Sequence, residues 1–215
     1  MSLAKHAVAL ALSVTLPIAA HATVPASTFN FYLEGGSLID TVSNAPSYVS
    51  GDLQLIVRAF DASGKQLQVT SNFTGLGATT GSLLADGDLN AGSLLFGAPG
   101  EYLTLTFNKA VNMSSLRLSG WSNGTLGLGV ESGTFTAGAT SFTLGSTNDR
   151  GTPLTTFTTT GATGTVFKLQ ATGQSEFRLA GLNVTAAAVP EPGSYALMAL
   201  GLAGIGLVAR RRAAA

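Results

Sequence analysis

The sequence predicts an all-β domain, an antiparallel β-sandwich of jelly-roll type, set between two apolar end segments. Three observations carry this. Between residues 23 and 190 apolar residues recur in short alternating runs, and no helical periodicity is found. The same region is rich in Gly, Thr and Ser, which are unfavourable inside helices but suit strands, turns and bulges. Finally, the hydrophobic content of 45%, high beside 10% charged residues, is raised by two nearly uniform apolar segments at residues 3–20 and 195–209. The 215 residues therefore divide into 1–22, a domain at 23–188, and a tail at 189–215.

The first segment, MSLAKHAVALALSVTLPIAAHA, has the three parts of a secretory signal. Lys5 gives positive charge, Ala7–Leu16 an apolar run, and Ala20-His21-Ala22 a small-x-small site for signal peptidase. Pro17 interrupts the helix just before that site, and cleavage is expected after Ala22. Both histidines, His6 and His21, would leave with it, and the chain has no cysteine. Histidine-based triads, thiolate nucleophiles and His- or Cys-ligated zinc are then excluded from the exported domain. A non-enzymatic role is expected.

Strands follow in order. FNFYLE (29–34) is the first candidate; LQLIVRAF (53–60) is apolar and branched, and the turn DASGK (61–65) leads into the alternating QLQVTSNF (66–73). That pair predicts a hairpin. EYLTLTF (101–107), SSLRLSGW (114–121), GTFTAGATSFTL (133–144), TVFKLQAT (165–172) and EFRLAGLNVTA (176–186) are further strand candidates. GLGATTG (75–81) and GLGVESG (127–133) read as β-turns or bulges, since no strand-to-helix context for a phosphate loop accompanies them. The Thr-rich stretch 152–165 is too irregular for a flat ice-binding array and reads as a polar loop ahead of a strand. No fixed repeat period supports a β-helix.

Candidate chemistry is sparse. Asp86, Asp88 and Asn90 have the alternate spacing that opens a Ca2+ loop, but Ala91 and Gly97 stand where its glycine and glutamate belong. A Ca2+ site would need distant oxygens such as Glu101; otherwise the stretch is a polar turn. Trp121 and Tyr102 are aromatics that could stack on a sugar, with core packing the competing role of Trp121. A carboxylate pair for glycoside hydrolysis has no local motif to place it. Nucleic acid is not an expected partner, because residues 23–192 hold seven basic against eleven acidic residues, a balance of −4.

The tail has three parts. Pro190-Glu191-Pro192 holds the chain extended, Ser194 can cap a helix, and Tyr195–Ala209 is uncharged. Fifteen residues at about 1.5 Å each reach about 22 Å, short of the hydrocarbon core of about 30 Å. Tyr195 and snorkelling arginines can extend that reach, so the expectation is a transmembrane helix in the inner membrane. Arg210, Arg211 and Arg212 would stop it on the cytoplasmic side.

Proline-Glu-proline, short apolar helix and arginine cluster together resemble the PEP-CTERM sorting signal, also labelled an ice-binding-protein C-terminal motif. The resemblance covers about the last 26 residues. It implies recognition of Pro190, Glu191 and Pro192 by an exosortase that removes the tail. It further implies a secreted protein of a Gram-negative bacterium that makes exopolysaccharide and biofilm matrix, located at the cell surface or outside the cell. The order of FTGLGATTG (73–81), GEYLTLTFNKAVNMSSLRLSGW (100–121) and FRLAGLNVTAAAVPEP (177–192) is similar to the β-sandwich body of such proteins. A structural or adhesive role is expected, with carbohydrate binding as the alternative and a carboxylate-dependent hydrolase behind it.

Overall fold

A computed structural model describes residues 26–32, 40–80, 87–90, 100–121, 131–145, 153–173, 175–187 and 192–213. The proposed signal peptide, with Ala20 and Ala22, lies outside the described residues, as do Asp86, Pro190 and Glu191. The strands are β1 (Ala26–Asn30), β2 (Thr41–Ser43), β3 (Ser47–Ser50), β4 (Leu53–Phe60), β5 (Gln66–Asn72) and β6 (Gly75–Thr79). They continue with β7 (Leu89–Asn90), β8 (Tyr102–Ser119), β9 (Ser132–Ala137), β10 (Thr140–Leu144), β11 (Leu154–Thr172) and β12 (Glu176–Ala186); one helix follows, α1 (Pro192–Ala213).

The all-β class holds, and every recorded pairing is antiparallel. The arrangement differs from the expected jelly-roll sandwich. The order β1-β12-β6-β5-β4-β8-β11-β9-β10 forms one sheet, and β12 also pairs with β8. Strands β12, β6, β5, β4 and β8 thus close into a five-stranded barrel, and the sheet continues beyond it through β11, β9 and β10.

Strand β8 explains the closure. Leu103–Phe107 pairs with β4 through Leu55–Ala59, whereas Val111–Ser119 pairs with β12. Register shifts between Leu179 and Gly181, and between Asn183 and Val184, mark bulges where the β8–β12 ribbon coils. Bulges bend a strand and increase its twist, which lets a sheet curl onto itself instead of stacking on a second one.

The hairpin expected at 53–73 is present, its second strand ending at Asn72: Ala59 pairs with Leu67 and Phe60 with Gln66. Its turn is fastened by Asp61, whose Oδ1 accepts from Ser63 N at 2.9 Å, Ser63 Oγ at 2.6 Å and Lys65 N at 3.0 Å. These bonds, the Ser63 hydroxyl foremost, hold the Asp61 carboxyl below its ordinary range. Residues 101–107 and 114–121, expected as separate strands, are one 18-residue strand through 119. The polar loop expected at 152–165 is instead largely the first half of the 19-residue β11, with Thr155↔Leu118 and Phe157↔Leu116 in register. Threonine's preference for the pleated surface prevails there, and a bulge between Thr158 and Ala162 absorbs the glycine interruption.

GLGAT, read as a turn, is the fully buried strand β6. Its glycine is a matter of space: a Cβ on Gly77 would collide with the backbone carbonyl of Gly87. The segment leading into β7 runs close above β6, with Ala78 N donating to Asp88 O at 3.4 Å and Thr70 Oγ1 to Gly87 O at 2.5 Å.

Alternation decides the core. Leu53, Leu55, Val57 and Ala59 of β4 and Leu103, Leu105 and Phe107 of β8 are buried. A chain of rings runs through it: Phe29 meets Phe107 at 5.8 Å, Phe107 meets Phe167 at 5.8 Å, and Phe167 stacks on Phe135 at 5.7 Å. Four strands from distant parts of the sequence share that contact line.

Candidate functional site

Two places collect functional side chains: a buried charge cluster near β7 and the junction between β12 and the tail. The cluster centres on Arg178 of β12, which is 5% exposed. Its Nη1 donates to Asp40 Oδ1 at 3.0 Å and its Nη2 to Asp40 Oδ2 at 3.3 Å, while Nε donates to Asp88 Oδ1. Gly87, with φ +79°, makes room: a Cβ there would stand 2.5 Å from Asp40 Oδ2 and 2.7 Å from Arg178 Nη2. Alongside, Glu101 is fully buried and its Oε2 accepts from Asn90 N at 3.0 Å.

The structure brings Glu101 to the Asn90 backbone, while the Asp88 carboxylate turns to Arg178; Asp86 lies outside the described residues. The positive charge facing Asp88 is supplied by Arg178, a residue the sequence reading had not connected to it. Among the described residues no group of three or more His, Cys, Asp or Glu is placed to hold a metal. Asp40 and Asp88 share one guanidinium, which suits a structural ion-pair network rather than a proton-transferring pair.

Glu131 stands beside this cluster. Its Oε2 accepts from Glu176 N at 2.8 Å. Burial, the largest influence, raises its pKa above the ordinary 4.5; the Glu176 N–H and Ser175 hydroxyl pull it down, and the Glu176 and Asp88 charges add to the rise. A carboxyl whose folded pKa is raised contributes stability below its unfolded pKa and loses it as pH rises through the folded value. Glu131→Gln is thus expected to gain melting temperature relative to the parent as pH is raised from about 4 to about 7. Thermal melts across that range check this; a constant difference would reject it.

Trp121 is 8% exposed and packs against Phe157 at 4.8 Å and Phe177 at 5.1 Å. Its ring is a core group here and does not offer an open face to a sugar. Tyr102 is partly exposed, stacked on Phe60 at 5.3 Å with Lys168 Nζ 3.9 Å from its ring centre. A cavity of about 370 Å³ beside the β4–β5 turn is lined by polar groups including Asn44, Gln66 and Gln68. Asp61, also on its wall, is committed to the turn.

At the junction, Ala187 N donates to Ala110 O at 2.8 Å, the last such bond before α1 among the described residues. Helix α1 begins at Pro192, two residues before the expected cap Ser194, as suits a proline whose missing N–H would be unpaired in a first turn anyway. Met198, Leu200, Leu202 and Ile205 are exposed, as are Arg210 and Arg211; Arg212 lies in the last turn. The expected transmembrane helix is not met: no helix among the described residues is long and apolar enough to cross a membrane. The 22 residues of α1 include Pro-Gly-Ser at one end and three arginines at the other, leaving an apolar middle too short for the bilayer core.

Residues 188–212 match the family model of the PEP-CTERM protein-sorting motif. The match supports an exported, exosortase-sorted protein associated with the cell surface. No curated protein matches the chain.

Proposed function

We propose that this PEP-CTERM-bearing chain is a non-enzymatic structural or adhesive protein of the cell surface or extracellular matrix. The observation that carries the reading is the motif at residues 188–212, joined to a closed β-barrel body by the few residues after Ala187. In this reading exosortase recognises the tail and cuts near Pro190-Glu191-Pro192, separating the exported domain from α1.

Expression in a host with and without an exosortase tests this. Tail loss, read by mass spectrometry, is expected only with the enzyme and only with the motif intact; Pro190→Ala combined with Glu191→Ala should abolish it. Identical tail retention and identical location in both hosts would sink the sorting reading. A second reading, carbohydrate binding in an exopolysaccharide matrix, is favoured by the partly exposed row of Arg58, Thr104 and Lys168 across β4, β8 and β11, while the Tyr102 ring itself is covered by Phe60 and Lys168.

A further inference from the structure

We infer that the outer face of β4, β8, β11 and β9 is a binding surface for an anionic polysaccharide. This rests on the matrix reading above and names its partner chemistry. Register places Arg58, Thr104, Lys168 and Thr136 side by side across four adjacent strands. The neighbouring row is Phe60, Tyr102, Gln170 and Thr134. All of these alternate with buried partners such as Ala59, Leu103, Leu169 and Phe135, so they point outward together.

Charge is what distinguishes this face. The region between the two ends is acidic overall, yet these two rows contain two cations and no carboxylate. The other described cations of the barrel are otherwise engaged. Lys109 pairs with Asp52, Arg178 with Asp40 and Asp88, and Arg117 donates to Asn30 Oδ1 at 2.8 Å. Lys65 donates its backbone N–H to Asp61, and its charge acts on that carboxylate. Among the described residues neither Arg58 nor Lys168 has an acidic partner within ion-pair distance.

The two charges are held apart by one strand. Arg58 and Lys168 flank Thr104, so their backbones stand about 10 Å apart, two inter-strand spacings. Lys168 is steadied over the Tyr102 ring, which lowers the ordering cost of using it. Between and beside the cations are hydroxyl and amide groups (Thr104, Thr136, Thr134, Gln170) that donate and accept. A hydroxyl-rich polymer with spaced carboxylates matches this row of partners.

Other anionic surfaces fit less well. A membrane surface calls for clusters of about four to eight basic residues, and a protein partner calls for a buried aromatic or Arg anchor in a pocket. This face is shallow and offers two cations.

The test uses the purified full chain and polygalacturonate as the probe, with neutral dextran and phosphatidylglycerol vesicles as comparisons. Binding to polygalacturonate that weakens with added salt is expected, with none to dextran. Arg58→Gln combined with Lys168→Gln should weaken it at least about tenfold, about 1.4 kcal/mol, since the charge-assisted contacts are lost. The melting temperature of the double variant reports whether the barrel is intact. Undiminished binding by a folded double variant would overturn the inference, as would equal binding to dextran, no binding to polygalacturonate, or binding to vesicles alone. Tail removal by exosortase is read separately, so either claim can fail without the other.

Discussion

Arg178→Met is expected to destabilise the domain by about 2–4 kcal/mol, most of it from two carboxylates left facing each other without their shared cation. Breaking a fully buried pair costs about 3–5 kcal/mol. The lower range follows because the Asp40 and Asp88 side chains retain 30% and 31% exposure and can draw partial solvation. Methionine roughly fills the stem of the lost arginine, so packing is not the main loss. The decisive comparison is with Arg178→Met combined with Asp88→Asn. Removing one of the two carboxylate charges should restore part of the stability, making the two substitutions non-additive. Denaturant titration of the three variants measures it; simple additivity would show that the network is not coupled.

Phe167→Ala is expected to cost about 3–5 kcal/mol, lowering the melting temperature by about 10 °C. Phe167 is 1% exposed and lies between Phe107 and Phe135 in the ring chain. Its loss opens a cavity at the point where β8, β11 and β9 meet, and each neighbouring ring loses a contact face. Phe167→Leu keeps most of the volume and should cost less than half as much. A calorimetric scan of both variants tests the order; equal losses would point to the aromatic geometry instead of the volume.

How much was legible depended on how local each feature is. Strands β4 and β12 begin and end where the sequence placed them, because alternation within LQLIVRAF and the branched residues of EFRLAGLNVTA are short-range signals. The Asp61 turn was legible for the same reason. Strand β6 was not: Gly-Leu-Gly carries little apolar pattern, and Gly77 is there because another backbone passes overhead. Closure of the barrel was hidden too, since it depends on β8 meeting β12 across a long stretch of chain. The same holds for Arg178 and Asp40, which are 138 residues apart. The contact of Asn90 with Glu101 is short in sequence, but the cation that Asp88 faces is a side chain no spacing rule could reveal. The tail was the clearest segment because motif, helix and arginines are contiguous.

The position of β12 gives the β12–tail junction a mechanical meaning. The strand that leads into the tail is flanked by β1 on one side and by β8 on the other, with rungs from Ala26↔Thr185 to Asn30↔Gly181 and from Arg178↔Ser119 to Ala186↔Val111. A pull applied beyond Ala187 acts along the axis of this strand. It loads both ladders in shear, where many hydrogen bonds share the force, instead of peeling them one at a time. A body tethered by this end would be built to withstand drag.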